Sequence, residues 1–389
     1  MRQTFRCYPS APQRRFLAKV FGCVRFVYNR ALQMRKERYA EDKTSVSYGQ
    51  TSAALTGWKK EAACVWLNEV SCVPLQQCLR HLQTAFRNFF EKRAAFPRFK
   101  SKHGKQGAEF TRSAFTWDGK HNNLRLAKIG HLRVRWSRQF RSEPSTVTIT
   151  KNRAGQYFVT LCLDEQVDAL PKTGKSVGID LGINRLATLS NGERVVNPRF
   201  LAKKLTKLRR FQRGLSRKEK GRGRWHRQRV KVAKLHVQIA NCRRDHLAKE
   251  TTALVRRYDL LCMENLSVRD MMPNLKLSRG IADVGMSAFR QMLTYKCAWY
   301  GKELRFVDRF FPSSKRCSEC HYLAETLPLE VRMWTCPNCT TVHDRDENAV
   351  RNILAEGHSV TARGGRVRPR ATKVVHGSAR RSVNPPALP

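Results

Sequence analysis

The sequence predicts a mixed α/β chain with a helical block in front, a small β-barrel or curved sheet after it, and an α/β core that carries the chemistry. Three observations lead there. Apolar residues keep three-and-four spacing from residue 12 to about 96, and they alternate at period two between 108 and 165. A strand-like run follows, Lys175-Ser-Val-Gly-Ile-Asp-Leu-Gly-Ile183, with an acid in its apolar middle.

In the first block Leu17, Val20 and Phe21, then Val24, Val27 and Tyr28, then Leu32 trace one face of an amphipathic helix. Arg30, Arg35, Lys36 and Arg38 interrupt that face or crown its solvent side. A second helix ends in Thr84-Ala-Phe-Arg-Asn-Phe-Phe-Glu-Lys-Arg93, and Pro97 closes a bundle expected to hold three or four helices with basic rims.

In the second block Leu124-Arg-Leu126 and Leu132-Arg-Val-Arg-Trp136 alternate apolar with basic residues. Val147-Thr-Ile-Thr150, a turn at Asn152-Arg-Ala-Gly155 and Tyr157-Phe-Val-Thr-Leu161 make a hairpin. Asp168-Ala-Leu-Pro-Lys-Thr-Gly174 reads as a linker into the core.

In the core strand Val177, Ile179, Leu181 and Ile183 would fill one face, and Gly178, Asp180 and Gly182 the other. Glycines beside a carboxylate are expected to clear room for something bulky, such as a hydrated metal and its phosphate. Leu186-Ala-Thr-Leu-Ser190 and an Asn191-Gly192 hairpin turn come next. Leu201, Leu205, Leu208, Phe211 and Leu215 mark a very basic helix, and the Gly221-Arg-Gly223 break leads into a second with Val232, Leu235, Ile239 and Leu247. Scarcely an acid lies between Lys203 and Lys234, which favours nucleic-acid backbone contact over a merely solvated face. Tyr258-Asp-Leu-Leu-Cys-Met-Glu-Asn-Leu266 reads as a buried strand ending on Glu264. A helix from about Asp283 to Trp299 and the strand Leu304-Arg-Phe-Val307 are expected after it. From Gly357 onward there is no acid and no apolar periodicity, while Arg363, Arg366, Arg368 and Arg370 accumulate. That tail is expected to be disordered and to touch RNA.

Composition narrows the partners. The 389 residues hold 76 Lys+Arg against 30 Asp+Glu, a formal charge of +46, with a pI near 10.7. Folding does not call for such self-repulsion, so a polyanion is the natural partner. No apolar run approaches a membrane span, and Met1-Arg-Gln-Thr-Phe-Arg-Cys7 lacks a signal-peptide core. Nine scattered cysteines (7, 23, 64, 72, 78, 162, 242, 262 and 297) read as reduced and mostly buried thiols of a cytosolic chain.

Four further cysteines form Cys317-Ser-Glu-Cys320 and Cys336-Pro-Asn-Cys339. This C-x2-C pair spacing lets two knuckles set four thiolates around Zn2+, a closed and therefore structural site. A redox C-x-x-C is the weak rival, since it would not need two copies. His321 and His343 lie nearby and read as bystanders. In His343-Asp-Arg-Asp-Glu-Asn-Ala-Val-Arg-Asn-Ile-Leu354, Asp344 is expected to cap a helix and Asp346 to sit in its first turn. Asp180, Glu264 and Asp346 brought together would bind two Mg2+ or Mn2+ ions and act on a phosphodiester.

Gly178-Ile-Asp-Leu-Gly182, Met263-Glu-Asn-Leu266, Ser313-Ser-Lys-Arg-Cys317 before the four-cysteine ribbon, and Asp344-Arg-Asp-Glu-Asn-Ala349 occur in that order, and Arg25-Phe-Val-Tyr-Asn29 fits as well. Together they resemble TnpB, the OrfB-type transposon-encoded protein similar in its nuclease part to the RNA-guided type V CRISPR effectors. The resemblance runs to about Leu354. It implies an RNase H-like (RuvC-like) nuclease core, an N-terminal helical recognition domain, a β-barrel wedge domain and an inserted zinc ribbon. On this chain that places the first wedge strand at 1–10, the recognition domain at 11–107 and the rest of the wedge at 108–170. The nuclease domain with its basic helical pair would take 171–316, the ribbon 317–340, the last nuclease segment 341–356 and the basic tail 357–389.

By position the family implies Asp180, Glu264 and Asp346 as catalytic Mg2+ ligands and Cys317, Cys320, Cys336 and Cys339 as zinc ligands. It implies a noncoding guide RNA from the transposon end, a double-stranded DNA target cut beside a short flanking motif, and a prokaryotic cytoplasm. Tyr48, Gln50, Ser52 and Gln76 match segments that approach bases in the family. Two ribbon positions depart from the family pattern: the glycine usual after each second cysteine is His321 in one knuckle and Thr340 in the other. Val350 likewise stands where Ala is usual. The rival readings are a catalytically silent RNA-guided DNA-binding regulator and a strand-joining transposase with an acidic triad.

Overall fold

The core strand Ser176–Leu181 sits in the middle of a five-stranded sheet. Hairpin pairing adds Arg185–Leu189 antiparallel beside it and Arg194–Val196 at the edge. The Gly192 backbone, at a φ of 83°, makes the turn between them. On its other side Leu260–Glu264 and then Glu303–Val307 pair parallel. In this computed structural model residues 1–328 and 330–359 are described. They divide into two units, one of Met1–Asp168 with Phe200–Cys242, the other of Ala169–Arg199 with the chain from Arg243 onward.

Period-two alternation gives the sheet two apolar faces, as parallel strands covered on both sides require. Val177, Ile179, Leu261 and Met263 bury one face against Leu254 and Val255 and against Phe289, Leu293 and Cys297. Cys262 and Val307 bury the other against Ile353 of the helix Arg345–Ser359. That helix comes so close that a Cβ built on Gly178 would lie 2.2 Å from the Val350 carbonyl oxygen. One on Gly357 would lie 2.2 Å from the Cys262 sulfur. The bareness of Gly178 thus makes room for a helix backbone, not for a metal as the residue pattern suggested. Gly182 is bare for a turn, its added Cβ falling 3.1 Å from the Arg185 oxygen.

In the first unit the apolar face read from the sequence lies on one long helix, Ala11–Asp42, opened by a Ser10–Gln13 capping box. Tyr48–Trp58, a 3-10 turn at Ala62–Glu69 and Cys72–Phe90 complete the helical block. The hairpin Thr146–Lys151 and Tyr157–Cys162 pairs on one side with Gln106–Thr111 and on the other with Arg2–Cys7, whose far edge takes Val134–Arg135. These strands form an open antiparallel sheet with Gln106–Thr111 and Val134–Arg135 at its edges, beside a separate three-stranded sheet of Phe115–Asp118, Asn123–Leu126 and Gly130–His131. The basic helices Phe200–Ser216 and Gly223–Arg257 close on each other through Leu208, Leu235 and Ile239, a core of their own.

Two boundaries differ from the sequence reading. The helix expected from about Asp283 to Trp299 is two helices, Leu275–Val284 and Met286–Tyr300, because Gly285 at a φ of 78° breaks the run. Asp283 therefore lies in the last turn of the first of them and pairs with Arg243. The last helix continues to Ser359, past the Gly357 where the tail was set to begin, since Gly357 is packed on Cys262. The remaining tail, including Arg363, Arg366, Arg368 and Arg370, lies outside the described residues. Of the nine scattered cysteines six are buried, but Cys72 and Cys242 are exposed.

Gly178→Ala should destabilise the protein by about 3 kcal/mol or more, since the obstacle is backbone and cannot rotate away. Chemical denaturation of the two forms measures it, with Gly182→Ala as the milder control.

Candidate active site and metal centre

The sheet register explains how acids remote in sequence meet. Cys262 pairs with Gly178, and two residues further along their parallel strands come Glu264 and Asp180. By alternation both share the face covered by the helix Arg345–Ser359, whose first turn holds Asp346. Asp344 caps that helix, its Oδ1 accepting from the Asp346 and Glu347 amides at 2.9 and 3.1 Å. All three acids are half-buried. Burial, and then the charges of Glu264 and Asp346, push the Asp180 carboxyl up to about 7. Burial also raises Glu264, against a hydrogen bond donated by the Ser313 hydroxyl. Asp346 accepts from the exposed Arg332 at 3.1 Å, a pairing that solvent weakens.

Hard oxygen donors in a like-charged cluster suit Mg2+ or Mn2+. Among the described residues the four-cysteine group is the one set of three or more candidate ligands whose atoms all lie within 4.8 Å of one another. The carboxylates are spread wider than that.

The residue pattern had not singled out the polar anchors around this site. Asn352 donates to the Ser313 and Arg316 carbonyls at 2.9 and 2.6 Å, and Asn348 donates to the Arg316 carbonyl at 2.7 Å. Asn348 also accepts from the Ser318 amide at 2.8 Å. Both amides are buried, so the last helix holds the loop that brings Ser313 to Glu264 and the first knuckle to its place. The buried Arg345 donates to the Pro328 carbonyl at 2.5 Å. The one available signal was Asn348 inside the acidic motif, a polar residue at a position that helix period turns inward.

In the ribbon Cys317 and Cys339, and likewise Cys320 and Cys336, stand 3.6 Å apart, sulfur to sulfur. That is close to the ~3.8 Å edge of a tetrahedron with ~2.3 Å zinc–sulfur bonds, so the four residues fit the metal. Hydrogen bonds from Asn338 and from the Tyr322 backbone pull the Cys320 thiol down to about 6, toward the thiolate that zinc takes. His343 is more than a bystander: it is buried, and its Nε2 lies 3.0 Å from the Cys317 sulfur, to which it can donate. His321 has no such position and is exposed. Both non-glycine residues after the knuckles adopt left-handed backbone, His321 at a φ of 64° and Thr340 at 60°. Glycine takes that conformation without strain, and β-branched Thr340 bears the larger cost.

The residues matched to base reading lie apart in role. Tyr48 is half-buried under the Arg80 guanidinium, and the exposed Gln50 closes a capping box with Ser47. Ser52 is half-buried in the same helix, and Gln76 is exposed on the helix Cys72–Phe90. No helix among the described residues is long and apolar enough to cross a membrane.

Family comparison agrees with this order of motifs. An OrfB-type family described as "Probable transposase" matches residues 160–275, and a "Cas12f1-like, TNB domain" family matches 287–353. A "Helix-turn-helix domain" family matches 2–44, where the structure has a strand and one long helix. A "Putative RNA-guided DNA endonuclease" of Streptomyces pristinaespiralis is 48% identical over 94% of this chain and 91% of its own. The chain belongs to the TnpB family. A second member, "Putative RNA-guided DNA endonuclease InsQ" of Escherichia coli K12, is 34% identical over 92% of this chain and 93% of its own. In fold, the chain is similar to the protein of the "Cas12f1-sgRNA-target DNA complex", with a TM-score of 0.56, 14% identity and coverage of 87% and 82%.

Two outcomes are expected. Thr340→Gly should stabilise the zinc-loaded protein by about 1 kcal/mol and His321→Gly by somewhat less, read as slower zinc loss to a chelator. For Asp180, the folded protein holds the proton more tightly than the unfolded chain. Its contribution is therefore full below about pH 4 and lost as pH climbs through about 7. In zinc-loaded protein at pH 8 without Mg2+ or Mn2+, Asp180→Asn should accordingly unfold later than wild type by about 2 kcal/mol, allowing for solvent screening. At pH 4 the two should melt together.

Proposed function

We propose that the protein is an RNA-guided DNA endonuclease with an RNase H-type, RuvC-like core. The observation that carries this reading is the convergence of Asp180, Glu264 and Asp346 on one face of the sheet, with Asp180 under the charge of both partners. In it these three acids are the catalytic ligands of two Mg2+ ions, which when bound activate a water and stabilise the leaving oxygen of a phosphodiester. Ser313 holds one Glu264 oxygen, so that carboxylate keeps a single orientation. Asp346 stands in the first turn of its helix, where the backbone amides favour a phosphate close by. Zinc on Cys317, Cys320, Cys336 and Cys339 keeps the loop with Ser313 in place and takes no part in the chemistry.

The remaining parts follow the family. The helical block and the sheets around 108–170 act as recognition and wedge domains, with Tyr48, Gln50, Ser52 and Gln76 toward the bases of a flanking motif. A noncoding RNA from the transposon end supplies sequence specificity by pairing with the target DNA. The lysines and arginines of Phe200–Ser216 and Gly223–Arg257 meet phosphates.

Purification from cells that carry the flanking transposon sequence should yield protein with a bound RNA from that element's end. The loaded protein should cut matching double-stranded DNA in Mg2+. Asp180→Ala, Glu264→Ala and Asp346→Ala should each slow cutting about a thousandfold or more while RNA and target binding persist. Binding without cutting by the wild type would favour a regulator, and strand joining by RNA-free protein would favour a transposase.

A further inference from the structure

Phe310 is unusual among the aromatic side chains of the nuclease unit. It is 84% exposed, yet its backbone is fastened. Asp308 Oδ1 accepts from the Phe310 amide at 2.8 Å, and the Ser313 amide donates to the Phe311 carbonyl at 2.8 Å. Phe311, its neighbour, turns inward to pack with Cys262, Val307 and Ile353. The inward anchor at 311 keeps the ring at 310 outward, at a standing cost in exposed apolar surface. Arg309 lies 5.6 Å from the centre of that ring and is itself held by Asp270 at 2.9 Å. Three residues after Phe310, Ser313 binds Glu264, so the backbone that carries the ring lies within about 10 Å of the backbone that holds the acid site.

A flat apolar ring beside the Arg309 guanidinium selects a ligand that is both anionic and flat. A nucleobase on a phosphate backbone has both properties, and a chain with a formal charge of +46 already favours a polyanion. The strand must be single, because a duplex hides the faces of its bases. We propose that Phe310 is a stacking platform for one base of single-stranded DNA beside the carboxylate site, a proposal that rests on the nuclease reading above. Stacking there would fix the register of the strand, and so which phosphodiester lies over Asp180, Glu264 and Asp346.

The test uses the full-length, guide-loaded protein carrying Asp180→Ala. It is titrated with a short single-stranded oligodeoxythymidylate, unmatched to the guide and carrying one 2-aminopurine. The probe fluorescence should be quenched on binding. Adding Phe310→Ala should abolish the quench and weaken binding about five- to a hundredfold. Phe310→Trp and Phe310→Tyr should restore the quench, whereas Phe310→Leu, equally apolar and without a ring, should not. In the cutting-competent protein Phe310→Ala should spread the cut over neighbouring positions. An unchanged quench in Phe310→Ala, or full rescue by Phe310→Leu, overturns the proposal. A wild-type complex that quenches the probe and never cuts would count against the nuclease and leave the stacking standing.

Discussion

The last helix lies with its backbone directly on the sheet, and hydrogen in place of a side chain at positions 178 and 357 is what lets it. Val350 brings its carbonyl over Gly178, and the Cys262 sulfur fills the space over Gly357. That approach sets the height at which the helix begins, and so where Asp346 stands over the strand ends. The same helix then reaches sideways through Asn348 and Asn352 to hold the loop with Ser313 and the first cysteine knuckle. A backbone contact therefore governs the acid cluster, the hydroxyl that orients Glu264, and the attachment of the ribbon. Interiors are close-packed, so a shift at one of these points is passed to the others.

The two candidate metal sets answer opposite requirements. The ribbon brings four soft sulfurs to the edge length of a tetrahedron, a closed shell that serves shape. The acids are wider apart, half-buried and mutually repelling, an arrangement that costs stability until cations or protons arrive. A chain with 76 cationic and 30 anionic side chains has ample means to neutralise three carboxylates. Yet it places only the exposed Arg332 directly on one of them among the described ion pairs. An underpaired cluster of this kind has the donor chemistry a hard divalent ion prefers, at the expense of the folded state.

Much of this was legible in the residues. The strands at 176–181 and 260–264, the paired basic helices, the hairpin around Asn152 and the four-cysteine ribbon all follow local patterns of period, turn chemistry and ligand spacing. Asp344 as a cap followed from its place before an apolar period. The errors arose where a local pattern had two physical explanations. Gly178 beside a carboxylate looked like clearance for a ligand, and the neighbour turned out to be a helix that starts far away in the chain. The run through Asp283 kept helical period on both sides of Gly285, and period alone does not register a left-handed residue.

By itself the sequence determined which residue types were available and the secondary structure that carries them, because period, capping and knuckle spacing are local properties. It also determined the polyanionic character of the partner, since net charge is independent of folding. Tertiary structure alone decided that Glu264 lies beside Asp180, that Ser313 holds Glu264, that His343 touches the Cys317 sulfur, and that Phe310 stands outward. Each of these depends on strand register or helix docking between segments remote in the chain, and those are settled by packing that no short stretch of residues encodes.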